Sequence, residues 1–148
     1  MTKINTDSAL QLDNQLCFAL YSASLAMTKL YAPLLNALNL TYPQYLVLLV
    51  LWEQDGLTVT ALGDRLTLNS GTLTPLLKRM EASGLLLRKR SQDDERRVLV
   101  SLTPEGKKLK TRAAAIPSCV TEATDCSLSA LLALTAQLKA LRDRLNDF

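Results

Sequence analysis

Apolar residues recur at helical spacing along most of the chain, and this pattern predicts a largely helical fold. In the N-terminal part the repeat predicts one long helix over residues 8–38, with Asp7 or Ser8 as its N-cap and Pro33 as the place where it can bend. The next segment begins at Thr41, is apolar on nearly every face and ends at Gly56. We therefore expect a buried helix there.

Two shorter helical patterns, "TVTALGDRLTL" and "NSGTLTPLLKRMEASG", follow in close succession. They are typical of a helix-turn-helix, with N-caps at Thr58 and at Asn69 or Ser70 and a stop at Gly84. The period then changes, because apolar segments at residues 85–87 and 98–102 flank a charged stretch that favours a turn. This pattern predicts a β-hairpin, and a hairpin placed directly after a helix-turn-helix makes a winged helix.

The C-terminal third returns to helical spacing. Thr103 is the expected N-cap of the next helix, which Pro117 should bend or interrupt. A last helix, "SLSALLALTAQLKALRDRL", carries more leucines than a chain terminus can bury by itself. The predicted fold class is therefore mostly α, with a winged helix-turn-helix between long N- and C-terminal helices.

Composition narrows the possible functions. The chain has 148 residues, three cysteines and no histidine, so we expect one domain and no metal site or cofactor. The missing histidine also weakens most schemes of hydrolytic catalysis, and an enzyme is not expected. No apolar run is long enough for a membrane span and no signal peptide is visible, so we expect a cytoplasmic protein that contacts no membrane and keeps its thiols reduced.

Cationic side chains concentrate where the helix-turn-helix meets the hairpin. The second helix of such a motif lays its first residues against base edges in the major groove of double-stranded DNA, while cations contact phosphates. The candidate DNA contacts on that helix are Asn69, Ser70, Thr72, Thr74, Lys78 and Arg79. Those on the wing are Arg88, Lys89, Arg90 and Arg96, with Asp94 placed to brace Arg96. The alternative is a solvated charged hairpin.

Two motifs in this region carry a family resemblance. The segments "DDERRVLVSLTPEGKKL" and "SGTLTPLLKRMEASGLL" resemble the wing and the recognition helix of the MarR family of winged-helix regulators. The resemblance implies a homodimer that binds an inverted-repeat operator. It divides the single domain, residues 1–148, into dimerisation helices at 8–40 and 103–148 and a DNA-binding region at 41–102.

Within that family, "LDNQLCFALYSASLAMTKLYAPLLNALNLTYPQYLVLLVLWE" is similar to the organic hydroperoxide resistance regulators. The similarity implies that Cys17 senses organic hydroperoxides with the help of Tyr31 and Tyr42. It also implies that a C-terminal thiol of the other subunit forms a disulfide with Cys17. Cys119 and Cys126 are both candidates for that thiol, and the sequence does not choose between them.

The thiol can also be considered on physical grounds. The repeat places Cys17 in the middle of a helix with no cation nearby, so stabilisation of its reactive thiolate must come from hydroxyl groups. Tyr21 lies one turn away, but Tyr31 is 14 residues away, or roughly 21 Å along a continuous helix. If Tyr31 assists a thiol, that thiol belongs to an antiparallel partner chain, in a pocket where the apolar neighbours of Cys17 admit an organic peroxide. The alternative is that Tyr31 and Tyr42 are amphipathic residues that cap the core and that Tyr21 is a packing residue.

Three functions remain in view at this point. The first is a dimeric repressor that releases its operator when Cys17 is oxidised. The second is a MarR-type repressor released by a small phenolic ligand, with Cys17 as an inert packing residue. The third, a thiol peroxidase, is disfavoured because it gives the wing and its cations no purpose.

Overall fold

The computed structural model describes residues 5–148. The chain separates into two compact units, Met1–Lys110 and Thr111–Phe148. No helix within residues 5–148 has the length and apolar content needed to cross a membrane. The elements in chain order are α1 (Thr6–Ala9), a 3₁₀ turn (Leu12–Asn14), α2 (Leu16–Asn36), α3 (Tyr42–Glu53), β1 (Leu57–Thr58), α4 (Val59–Leu66), α5 (Ser70–Ala82), β2 (Leu86–Arg90), β3 (Val98–Leu102), α6 (Pro104–Ala113), α7 (Ile116–Thr124) and α8 (Leu128–Asn146).

The first predicted helix, residues 8–38, is interrupted near its start. The N-cap of α1 is Asn5, whose side chain accepts a hydrogen bond from the backbone of Asp7, and a 3₁₀ turn then separates α1 from α2. The prediction of one helix capped by Asp7 or Ser8 is therefore wrong. The later part of the prediction is confirmed, because α2 continues through Pro33.

Side-chain amides explain the interruption. The amide of Asn14 donates to the carbonyl oxygen of Ser8 at 2.7 Å, and the amide of Gln15 donates to that of Ala9 at 2.6 Å. These bonds satisfy carbonyl groups that a continuous helix would satisfy with backbone N–H groups. The break moves the start of α2 to Leu16, so that Cys17 occupies the first turn of the helix and not its middle.

The predicted buried helix and helix-turn-helix are confirmed. Thr41 and Gln44 form a capping box at the start of α3, which supplies several fully buried side chains to the core of the first unit. Thr58 caps α4, and Asn69 rather than Ser70 caps α5 by accepting from the backbone of Thr72 at 2.9 Å. After α5 the chain turns at Gly84, whose φ of +80° favours a residue without a side chain.

The wing is an antiparallel hairpin with a third short strand. Leu86 pairs with Leu102 and Arg90 with Val98, so β2 begins one residue later than predicted and extends three residues further. The two-residue β1, which was not predicted, pairs with the other edge of β3. Asp55 joins the turn after α3 to β3, because its carboxylate accepts a hydrogen bond from the backbone N–H of Leu102 at 2.9 Å.

Close backbone packing holds α6 against the sheet. Thr103 caps α6 as predicted, with its hydroxyl accepting from the backbone of Gly106 at 3.1 Å. The carbonyl oxygen of Gly106 accepts from the indole of Trp52 at 3.0 Å, and a Cβ at Gly106 would collide with the carbonyl oxygen of Leu85. This position therefore requires glycine, because only a bare Cα permits the approach.

In the second unit, α7 begins with Pro117 in its first turn, so the predicted interruption of the C-terminal helix at this proline is confirmed. Ser127 caps α8. None of the 19 residues of α8 is buried in the single chain.

Large apolar side chains are exposed along both long helices. On α8 these are Leu128, Leu132, Leu134, Leu138 and Leu145, and on α2 they are Leu16, Phe18, Leu20, Tyr21, Leu25 and Met27. Continuous apolar surface on this scale is typical of a protein interface.

One ion pair joins the recognition helix α5 to the wing. The carboxylate of Glu81 accepts from the backbone N–H of Arg88 at 2.9 Å and from its guanidinium at 3.2 Å. The two side chains are 33% and 23% exposed, respectively. These hydrogen bonds, the backbone one first, lower the pKa of Glu81 from its usual value near 4.5.

This pair generates a prediction about acid stability. A carboxylate whose pKa is lowered by folding stabilises the protein above its unfolded pKa, and this contribution is lost as the pH falls through the lowered, folded value. We expect Glu81→Gln to lower the unfolding temperature at pH 7 and the difference from the parent to shrink below about pH 4.5. Thermal unfolding followed by circular dichroism between pH 3 and 7 measures both. An equal difference at every pH would contradict the assignment.

Candidate DNA-binding face and thiol site

The start of α5 presents short polar side chains to solvent. Asn69, Ser70 and Thr72 are exposed, while Thr74 is half-buried. Asn69 is already engaged as the helix cap. Further along the helix, Lys78 and Arg79 are exposed. These residues therefore lie on one accessible helix, as a base-reading element requires, and their contacts with DNA remain a prediction.

The wing tip is a compact turn that presents an arginine. Arg96 is 96% exposed at its side chain, and Asp94 accepts from its backbone N–H at 3.0 Å and lies 3.8 Å from its Nε atom. This is the bracing contact expected from the sequence. Arg90 donates to the carbonyl oxygen of Glu95 at 2.8 Å, so its guanidinium closes the turn.

Arg88, a predicted DNA contact of the wing, is already engaged by another side chain of the same chain. Its guanidinium is held by Glu81, and its Nε atom is buried without a hydrogen-bond partner. The backbone N–H of Arg88 is bonded to the same carboxylate. The sequence did not reveal this pairing, because Glu81 lies seven residues away on a different element. Arg88 therefore connects the wing to α5, whereas the side chain of Arg96 extends into solvent.

A cleft of about 710 Å³ lies between the start of α4, the start of α5 and the wing. Its walls combine hydroxyl groups with guanidinium groups. The polar lining residues are Thr58, Thr60, Asp64, Ser70, Thr74, Arg88, Arg96 and Arg97. Hydroxyl and guanidinium groups are donors that bind phosphate oxygens, and they outnumber the one carboxylate, Asp64, so this cleft extends the candidate DNA-binding face. Thr58, Thr60 and Arg97 were not among the predicted contacts.

Cys17 is an exposed thiol at the second position of α2. Gln15, the N-cap residue, makes no side-chain cap hydrogen bond. The backbone N–H groups of a helix's first turn carry partial positive charge. The structure thus adds an electrostatic feature that a mid-helix position would lack. The apolar neighbours of Cys17, which are Leu16, Phe18 and Leu20, are also exposed.

Tyr31, towards the other end of α2, and Tyr42, at the start of α3, are the two tyrosines that the family resemblance assigns to the thiol. The ring centroids of Tyr31 and Tyr42 are 5.1 Å apart, and Tyr45 lies 5.9 Å from Tyr31 and 6.4 Å from Tyr42. We call these three residues the tyrosine cluster. Tyr45, buried with 4% exposure, was missed, although its position three residues after Tyr42 on a helix could have indicated it. Tyr21 lies outside the cluster and is 62% exposed.

Burial controls the ionisation of this cluster. Desolvation raises the pKa of Tyr31 above its usual value of 10.0, and the neighbouring phenols of Tyr42 and Tyr45 raise it further. Desolvation, followed by Tyr42, also raises the pKa of Tyr45. Both hydroxyl groups therefore keep their protons at neutral pH and can donate hydrogen bonds to an anion.

The two remaining cysteines occupy different environments in the second unit. Cys119 lies on α7 and is half-buried, next to the buried Val120. Cys126 is exposed in the connection between α7 and α8, and its Sγ atom lies 3.3 Å from the carbonyl oxygen of Thr124. Cys119 is therefore held within a helix, whereas Cys126 lies just beyond the end of one.

The chain is similar to known proteins over most of its length. A family model described as "Transcriptional regulator SarA/Rot" matches residues 29–113. The organic hydroperoxide resistance transcriptional regulator of Bacillus subtilis (strain 168) is 53% identical over 138 residues, which cover 93% of this chain and 94% of that protein. These proteins are transcriptional regulators, in agreement with the expectation that the chain is not an enzyme.

Solved structures of the regulator AbfR are also similar. Reduced AbfR bound to DNA matches with a TM-score of 0.72 and 35% identity, covering 90% of this chain and 95% of that one. The disulfide-formed AbfR matches with a TM-score of 0.65 and 38% identity, covering 91% and 95%. By its winged helix, its family model and its relatives, the chain belongs to the MarR-type winged-helix transcriptional regulators, the group that includes the SarA/Rot proteins and the organic hydroperoxide resistance regulators.

Proposed function

We propose that the protein is a homodimeric repressor that binds an inverted-repeat operator when reduced and releases it when an organic hydroperoxide oxidises Cys17. The observation that carries the proposal is the separation of Cys17 from Tyr31 along the same helix, α2. The thiol lies at the start of this helix and the tyrosine cluster lies near its end. The name of the Bacillus subtilis relative and the reduced and disulfide forms of AbfR support a redox function.

The proposed dimer brings the two halves together. An antiparallel pairing of two α2 helices places Cys17 of one subunit beside Tyr31 of its partner, because the two positions lie near opposite ends of the helix. The exposed apolar side chains of α2 and α8 supply the surface that such a dimer would bury. Burial of apolar area contributes about 25 cal/mol per Å² to association before entropic costs, so leucines on this scale favour pairing.

Three features of the proposed pocket favour reaction with an organic hydroperoxide. Cys17 lies in the first turn of α2, where the backbone N–H groups of a helix carry partial positive charge. The phenols of Tyr31 and Tyr42 in the partner subunit donate hydrogen bonds to the sulfur of Cys17. Leu16, Phe18 and Leu20 provide an apolar wall for the organic part of the peroxide.

The reaction transfers two electrons from sulfur to the peroxide. The thiolate of Cys17 attacks the terminal oxygen of the hydroperoxide and the O–O bond breaks, which gives a sulfenic acid and an alkoxide that takes a proton from water to become the alcohol. A second thiol then attacks the sulfenic sulfur, forms a disulfide and releases water. The disulfide requires the two Cα atoms to approach within about 7 Å.

Cys126 fits the role of the second thiol better than Cys119. It is exposed and lies in a connection, where the backbone can adjust with little loss of structure. Cys119 is part of α7, so movement of its Cα atom would disturb a helix. A disulfide from Cys17 to the partner's second unit would displace α8 and change the spacing of the two recognition helices. These must lie about 34 Å apart to fit adjacent half-sites.

The thiol assignments can be tested with three single variants. After one equivalent of cumene hydroperoxide, we expect the parent and Cys119→Ser to form a covalent dimer on a non-reducing gel, whereas Cys17→Ser and Cys126→Ser should not. Intact mass should show a sulfenic acid or its further oxidation products in Cys126→Ser. Cys119→Ser is the matched control.

Operator binding by the same variants separates the proposal from its alternative. Cys17→Ser should bind the operator when reduced and keep it bound after peroxide, as judged by fluorescence anisotropy. If Cys17 in the parent remains unmodified while peroxide still releases the operator, redox sensing at this thiol is wrong. A repressor released by a small phenolic ligand would instead leave Cys17→Ser responsive to that ligand.

The wing assignment generates a separate prediction. Arg96→Gln removes an exposed and braced cation, so we expect operator affinity to fall about tenfold and the slope of log K against log salt to fall by about one per subunit. Lys107→Gln is the charge-matched control, because Lys107 is exposed on α6 and lines a different pocket from the cleft that contains Arg96. Equal losses in the two variants would indicate a general effect of net charge and contradict a contact at Arg96.

A further inference from the structure

The tyrosine cluster contains one residue that the proposed function does not use. Tyr31 and Tyr42 lie on different helices, α2 and α3, and both rings are half-buried. Tyr45 lies one turn after Tyr42 and is almost fully buried, with 4% of its surface exposed. Its ring contacts both of the other rings at tilted angles of 43° and 44°.

Those contacts constrain the two outer phenols. A tyrosine side chain on a helix surface can change rotamer unless its ring is packed against a neighbour. Aromatic rings prefer tilted or offset contacts at centroid separations of about 4.5–7 Å, a range that includes all three pairs here. Tyr45 is therefore the buried ring against which the rings of Tyr31 and Tyr42 pack.

We propose that Tyr45 is a positioning residue that holds the phenols of Tyr31 and Tyr42 in the orientation needed to donate hydrogen bonds to the partner's Cys17. This inference rests on the proposed function, because it assumes that these phenols assist the thiol. It assigns the role to the aromatic ring of Tyr45 and not to its hydroxyl. Within residues 5–148, the cluster is held by ring contacts, and no hydrogen bond joins its three hydroxyl groups.

The ring and the hydroxyl can be separated by two substitutions. Tyr45→Phe keeps the ring and should react with cumene hydroperoxide within about twofold of the parent rate. Tyr45→Leu removes the ring but keeps an apolar side chain, so we expect the rate of Cys17 oxidation to fall at least tenfold. The rate is measured by quenching with a thiol alkylating reagent and by intact mass.

A spectroscopic readout distinguishes positioning from loss of stability. Alkaline titration at 295 nm follows ionisation of the four tyrosines. Burial by the cluster raises the pKa of Tyr31. Tyr45→Leu opens the cluster and should therefore lower the pH at which the last phenols ionise, while Tyr45→Phe should retain late ionisation of Tyr31. The matched control is Leu48→Ala, which removes a fully buried side chain from the same helix.

Each outcome decides the inference. The inference is supported if Tyr31→Phe and Tyr45→Leu both slow the oxidation of Cys17 while Tyr45→Phe and Leu48→Ala react at close to the parent rate. It is overturned if Tyr45→Leu reacts like the parent, if Tyr45→Phe is as slow as Tyr45→Leu, or if Leu48→Ala slows the reaction equally. If Tyr31→Phe itself reacts like the parent, the phenol assistance in the proposed function fails and the inference fails with it.

Discussion

The continuity of α2 is the constraint on which the sensor depends. The helix runs unbroken for 21 residues from Leu16 to Asn36, and 14 residues of helix separate Cys17 from Tyr31 by roughly 21 Å. No side-chain rotation closes such a gap. In the proposed sensor, the thiol and the phenols that act on it therefore come from different subunits.

The same constraint relates sensing to DNA binding. In the proposed dimer the thiol pocket lies at the subunit interface, so a covalent change there acts on the relative position of the subunits. The recognition helix and wing follow as one body within each subunit, because Glu81 joins α5 to β2 and Asp55 joins the turn after α3 to β3. A rigid winged helix suits the proposed mechanism, since the fit to the operator then depends on the distance between the winged helices of the two subunits.

Much of the fold could be predicted from local signals. Four predicted N-cap residues each cap the helix that follows, namely Thr41, Thr58, Asn69 and Thr103. The wing was predicted because the apolar period changes from helical to strand-like. The break before α2 was missed because it depends on hydrogen bonds from Asn14 and Gln15 to residues six positions earlier. Periodicity does not report such bonds.

The candidate site was less accessible to prediction, because its parts belong together only in three dimensions. The pairing of Arg88 with Glu81 joins a strand to a helix, and the burial of Tyr45 depends on the packing of α2 against α3. The position of Cys17 in its helix followed from the missed break. The sequence does not rank Cys119 and Cys126, because the partial burial of one thiol and the exposure of the other depend on packing.

The most direct test of the central claim is a measurement on heterodimers that contain one reactive thiol. In one heterodimer, a Cys17→Ser subunit is paired with a Tyr31→Phe subunit, so the remaining Cys17 faces an intact Tyr31 of its partner. In the other, a parent subunit is paired with a subunit that carries both substitutions, so its Cys17 faces phenylalanine. We expect cumene hydroperoxide to oxidise Cys17 at the parent rate in the first and about tenfold more slowly in the second. Equal rates, or the reverse order, would contradict a sensor shared between subunits.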